Sequence, residues 1–163
     1  LEMKAAAKVM GHEVLSEATL DELFDHVKEI REQCGDRAFL RAYHFLNETQ
    51  RAHDEAEALK KQDIKTFFQL VRESGRSSWM YLQNISVGSM PESQAVAIGL
   101  AISESVIHED GAYRVHGGGF AGTIQAFVNK NTTETFIERM EKTFGKGCCY
   151  ILRIRDVGGI RLA

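Results

Sequence analysis

The hydrophobic period of this chain changes at Asp110, from the three and four residue steps of helices to the alternation of short strands. Few folds accept such a switch within one core, so the change fixes the class before any single residue is considered. Upstream, Thr19 and Glu22 stand at capping-box spacing before Leu20, Leu23, Phe24, Val27 and Ile30, a helical stripe that Gly35 should stop. A longer helix opens near Asp36 and runs past Phe39, Leu40, Tyr43, Leu46 and Ala52 toward Lys61. A third begins at Asp63, buries Phe67, Phe68 and Val71, and meets Gly75. The first half of Ser77 to Ser89 reads as helix. After Pro91, Ala95, Val96, Ile98, Ile102 and Val106 define a fourth helix ending near His108.

Downstream, Ala112 to His116 and Thr123 to Asn129 read as strands flanking a glycine cluster. Asn131 with Glu134 at capping-box spacing opens a helix with the stripe Phe136, Ile137, Met140 and Phe144, ended by Gly145. Cys148 to Arg155 alternates as a strand, with Cys148 as a buried small hydrophobe; Val157 to Gly159 is a turn and Ile160 to Leu162 a last strand. The expected architecture is α+β: a single domain over 1-163, its helical front half packed on a small, mainly antiparallel four-stranded sheet.

Composition removes several alternatives. With 163 residues, 44% of them apolar and 26% charged, the chain can bury a real core and is neither disordered nor fibrous. No apolar run approaches the ~20 residues of a bilayer-spanning helix, and no signal-peptide pattern opens the chain, so a cytoplasmic location is expected. A net charge of −3 gives no footprint for nucleic acid or an anionic membrane, which leaves small molecules and protein surfaces as partners. Cys34, Cys148 and Cys149 lack metal-ligand spacing and read as reduced thiols; no metal site is expected in this chain. Leu1 at the start and strand-like residues at the end suggest a piece of a longer protein.

The strongest local signal is Gly117-Gly118-Gly119-Phe120-Ala121-Gly122. So many glycines mark a backbone that takes positive φ or lets something approach closely. Gly117, Gly119 and Gly122 match the dinucleotide fingerprint in letters only, because a strand follows them where the fingerprint needs a helix N-terminus. No Gly-Lys-Ser/Thr follows either. A tight bulged hairpin and a ligand-contacting loop both stay open. His116 reads as a surface or packing residue without a carboxylate or nucleophile in view. Arg41, His44, Asn47, Glu48 and Arg51 share one helical face, where Glu48 can pair with His44 or Arg51, or the group can pack on another domain. Ser74, Ser77 and Ser78 support no triad order. The residues alone supply no complete catalytic set.

Three segments together carry a resemblance: Arg41-Ala-Tyr-His44-Phe-Leu-Asn47-Glu48-Thr-Gln-Arg51, Glu73-Ser-Gly-Arg-Ser-Ser-Trp-Met-Tyr-Leu-Gln-Asn84 and Gly111-Ala-Tyr-Arg-Val-His-Gly-Gly-Gly-Phe-Ala-Gly122. In order and separation, over roughly residues 30 to 130, they resemble the C-terminal domain of galactokinases, within the GHMP kinase superfamily. The resemblance implies phosphoryl transfer from ATP, with magnesium, to the anomeric hydroxyl of galactose or a related sugar. It places the phosphate loop, the catalytic groups and most sugar contacts in an N-terminal kinase domain that this sequence lacks. This chain would then contribute no catalytic residue and would be inactive alone. Its share would be support of the phosphate site by Gly117, Gly118, Gly119, Phe120, Ala121 and Gly122. Ala121 stands where a glycine is usual, and Arg114-Val115-His116 differ from the common motif, which leaves the sugar open.

Two other readings stay open: a galactokinase-like sugar sensor or regulator without turnover, and a stand-alone α+β interaction module. A separated kinase half should also expose an apolar face able to pair with a second copy. If the loop faces the phosphates, a β-branched residue at Gly119 should cripple the full kinase and leave this domain folded.

Overall fold

The structure, a computed structural model, describes residues 1–120 and 122–154. Helix α1 (Glu2–Val9) was not anticipated, although Glu2 in its first turn, Lys8 in its last and the alanines between them are a helix signal. After a 3-10 turn at Leu15–Glu17, the expected capping box forms: Thr19 Oγ1 accepts from the Glu22 N–H at 3.2 Å and Glu22 Oε2 accepts from the Thr19 N–H at 2.7 Å.

The helix it opens is shorter than the stripe suggested. Helix α2 (Leu20–Asp25) ends at His26, whose φ of −101° and ψ of 15° leave helical geometry while Nδ1 donates to the Glu22 carbonyl at 2.9 Å; α3 (Val27–Cys34) then starts afresh. Leu23 and Ile30 still reach one core with Ala6, Ala7, Leu15, Ala38 and Ala42. Leu23 and Ile30 are fully buried, which stabilises the fold by about 2 kcal/mol for each of these two side chains.

Helix α4 (Asp36–Lys60) and α5 (Ile64–Ser77) match the expected spans at their starts, with Asp63 Oδ1 capping the Thr66 N–H at 3.1 Å. Helix α5 does not stop at Gly75. An added Cβ there would meet Arg114 Cβ at 3.0 Å and the Tyr113 carbonyl at 3.2 Å, so this glycine lets a strand pass close by. A π-helical turn (Ser78–Leu82) continues α5, as the helical reading of that stretch expected, and Gln83 in left-handed geometry (φ 57°) ends it. Helix α6 (Ala95–Val106) begins four residues after Pro91, whose carbonyl accepts from Gln94 Nε2 at 2.9 Å.

Strands β1 (Ala112–Val115) and β2 (Ile124–Phe127) form an antiparallel hairpin in the register Ala112↔Phe127 to Val115↔Ile124. The His116 N–H donates to the Thr123 carbonyl at 3.0 Å and prolongs it. Helix α7 (Thr133–Phe144) ends at Gly145 as expected. Its start differs: Thr132 is the N-cap and no capping box forms, because Asn129 holds the turn by accepting from the Asn131 N–H at 3.0 Å and from Thr132 and Thr133 Oγ1.

The result is α+β, with a sheet of two strands among the described residues rather than four. Residues 148–154, expected as a strand, are irregular, and Cys148 is exposed rather than buried. Alternation alone did not supply a pairing partner: Tyr150, Ile151, Leu152 and Ile154 stand 77% to 85% exposed. The rest of that strand, the turn at Val157 to Gly159 and the strand at Ile160 to Leu162 lie outside the described residues. Behind the hairpin, Ile85, Val96, Leu100 and Val115 form one cluster and Val106, Ile107, Phe136 and Met140 another. Among the described residues, no helix is long and apolar enough to cross a membrane.

Candidate functional site

Strand β1 connects the two features that the sequence singled out. Its middle carries Arg114, which reaches the polar face of α4, and its end runs into the glycine loop.

Among the described residues the α4 face closes on α1, α5 and β1 of its own chain. Glu48 Oε1 accepts from Arg114 Nη1 at 3.0 Å and from Ser74 Oγ, while Oε2 accepts from Arg51 Nη1. One carboxylate thus joins α4, α5 and β1 across 66 residues of sequence. His44 makes its hydrogen bond with the Ser77 hydroxyl (Nδ1 to Oγ, 2.9 Å) and not with Glu48. Arg41 pairs with Glu2 on α1 and donates to the Leu82 carbonyl at 3.1 Å; Asn47 donates back to the Tyr43 carbonyl at 2.8 Å.

Burial pushes the Glu48 carboxyl upward, but the Ser74 hydrogen bond and the Arg114 and Arg51 charges outweigh it and hold the group below the usual carboxylate range. Burial lowers His44 below its ordinary value, against the pull of Glu48 and with the help of Arg51 and Arg114, so the imidazole is favoured neutral. Burial raises Glu55 on the same helix, against Arg114. Ser74 and Ser77 are buried at 0% and 5% exposure, out of reach of any substrate. This cluster is an anchor for β1, without an accessible nucleophile.

The loop behaves differently. Gly117, Gly118 and Phe120 are exposed, with Phe120 at 53%, whereas Gly119 is buried. An added Cβ at Gly119 would lie 2.1 Å from the Asn84 carbonyl oxygen and 2.8 Å from its side-chain amide, and its φ is +84°. That position is a packing contact with the segment following the π-helical turn. A β-branched residue there disturbs the fold, contrary to the expectation of an intact domain. Asn84 closes the second of the three segments that carry the resemblance, but no role for it could be read from the sequence.

Gly118 is the opposite case. Its φ is not left-handed and nothing lies within 4 Å of an added Cβ. Neither backbone geometry nor packing within the described residues requires a glycine there. The N–H groups of Gly117, Gly118, Gly119 and Phe120 have no acceptor among the described residues, while the Gly122 N–H donates to the Gly119 carbonyl at 3.1 Å and closes the turn. Consecutive free N–H groups of this kind suit an anion. Ala121 lies outside the described residues. His116 is exposed, as expected. Among the described residues, no group of three or more His, Cys, Asp or Glu is placed to hold a metal ion.

An α+β unit with a glycine loop between two antiparallel strands is the class that this geometry defines. Its sequence is similar to galactokinases. That of Actinobacillus pleuropneumoniae is 28% identical over 133 residues, which are 82% of this chain and 33% of the relative. The galactokinase of Bos taurus is 28% identical over 153 residues, 92% of this chain and 36% of the relative. That of Homo sapiens is 29% identical over 149 residues, 90% of this chain and 34% of the relative. The chain spans about a third of the length of these curated relatives, so the resemblance inferred from three motifs extends over most of it. No family model matches the chain.

Proposed function

We propose that this chain is the C-terminal domain of a galactokinase-like sugar kinase of the GHMP superfamily. The whole protein would transfer a phosphoryl group from ATP, with magnesium, to the anomeric hydroxyl of galactose or a related sugar. Residues 1–163 act as one domain, and the N-terminal partner domain supplies the nucleotide and sugar contacts and holds the metal. The single observation that carries the reading is the run of N–H groups from Gly117 to Phe120, three of them on glycines, that meet no acceptor among the described residues of a chain similar to galactokinases. The loop fits a phosphate and not the metal, for it contains no carboxylate. Phosphoryl transfer depends on positioned dipoles around spreading charge, which a rigid backbone loop supplies at no reorganisation cost.

In this reading the Glu48 anchor fixes β1, β1 aims the loop, and the partner domain covers the exposed side chains Val87, Met90 and Phe120. The isolated chain is inactive. The test is ADP release by the full-length polypeptide with ATP, magnesium and a panel of hexoses, run beside the 163-residue chain. Galactose-dependent turnover by the first and none by the second is the expected result; ATP binding without turnover on any sugar would replace the kinase by a sensor on the same fold. Gly118→Ala sharpens the loop's role. It should leave unfolding unchanged yet lower kcat about tenfold or more, since a displaced phosphate costs rate steeply.

A further inference from the structure

A cavity of about 170 Å³ opens between α5, α6 and β1, and none of residues 117–120 or 122 lines it. Its walls include Arg72, Arg76 and Trp79 from one side, Leu100 and Ala101 from α6, and Tyr113 from β1. Gly75 also lines it, at the point where β1 passes close to α5.

The charges in this cavity are unbalanced. Arg114, which also lines it, is paired with Glu48. Arg72 spends its hydrogen bonds on the carbonyls of Gly111 and Glu109, so its charge meets no carboxylate among the described residues. Arg76 has neither a hydrogen bond nor an ion pair from its side chain among the described residues. These two arginines stand four residues apart on α5, where like charges repel. The lone carboxylate in the lining, Glu104, lies beside the Tyr113 hydroxyl. Two guanidinium groups facing one cavity therefore exceed its negative charge.

The shape adds a second requirement. Trp79 is half exposed and Leu100 supplies an apolar wall, which together receive a flat ring; a guanidinium grips a carboxylate through two parallel hydrogen bonds. We infer that this cavity is a binding site for a small aromatic carboxylate, its acid group held by Arg76 with Arg72 behind it and its ring lying against Trp79 and Leu100. The volume admits one ring and its carboxylate, not a nucleotide. The site is independent of the phosphoryl-transfer reading.

Trp79 is the only tryptophan of the chain, so its fluorescence reports on the cavity directly. Titration with benzoate should give saturable quenching, and the uncharged isostere benzamide should give none. Arg76→Gln should weaken benzoate binding about tenfold. Lys65→Gln, the same charge change on α5 outside the cavity, should leave it unaltered. Ala101→Leu, on an exposed helix position, should block the ring without touching either arginine. Circular dichroism identical to the parent establishes that each variant is folded. No saturable response, equal binding of benzamide or of inorganic phosphate, or retained affinity in both Arg76→Gln and Ala101→Leu would overturn the assignment.

Discussion

The two ends of β1 solve opposite problems. At Arg114 the strand is fixed by side chains: a partly buried carboxylate shared by two arginines and a serine, where each charge has a partner. At Gly117 to Gly122 it is fixed by the absence of side chains, one glycine pressed on Asn84 while its neighbours stay open. The first region stores stability in contacts that tolerate no deletion. The second leaves the N–H groups of Gly117 to Phe120 without an acceptor among the described residues, which is what the proposed phosphate contact needs. Anchor and loop are joined by one strand, so a disturbance of the anchor should reach the loop.

The comparison breaks most severely at Glu48. Glu48→Ala leaves Arg114, Arg51 and Ser74 without their common acceptor, and chemical denaturation should show a loss of about 3 kcal/mol, the scale expected when one partner of a largely buried charge cluster is removed. Gly119→Val should cost about 2 kcal/mol, because its Cβ falls on the Asn84 carbonyl in a left-handed backbone; the denaturation midpoint should drop even though no charge is lost. Together with the unchanged stability expected of Gly118→Ala, this separates the packed glycine from the open one.

The smallest effect is the anchor's share of the pH dependence. His44 and Glu48 both have folded values below their ordinary ones of 6.5 and 4.5, so each binds fewer protons folded than unfolded in that window. Their contributions are complete above those values and are lost as pH falls through the lower folded ones. Stability should decline first below pH 6.5 and again below pH 4.5. Glu55, raised by burial, works in the other direction, its contribution present in acid and lost as pH climbs through its raised value. Unfolding free energies measured across this range should show a smaller lower step in Glu48→Gln, the remainder coming from Glu2, Glu22, Glu57 and Asp63, whose carboxyls are also lowered; an unchanged profile would show that Glu48 titrates alike folded and unfolded.

Local chemistry made much of the architecture legible. The stripes of α4, α5 and α7, the Thr19 capping box and the alternating strands around the glycines are short-range patterns, and each appears where its spacing put it, within a few residues. Failures arose where a distant neighbour intervened. Gly75 reads as a stop but sits inside a helix because β1 passes it at van der Waals distance. Cys148 to Ile154 alternates like a strand, yet alternation names no partner, and those residues remain irregular.

The same division runs through the site. Sequence by itself determined that Gly117 to Gly122 is a loop between strands, that Glu48 has basic neighbours on its own helix, and that the chain is similar to galactokinases. Only the tertiary structure decided that Glu48 binds Arg114, that Gly119 packs on Asn84 while Gly118 faces open space, and that Arg72 and Arg76 share a cavity with Trp79. The physical reason is range. Periodicity and caps are set by residues a few steps apart, whereas a charge partner, a close backbone approach and a cavity depend on which distant surfaces the folded core brings together.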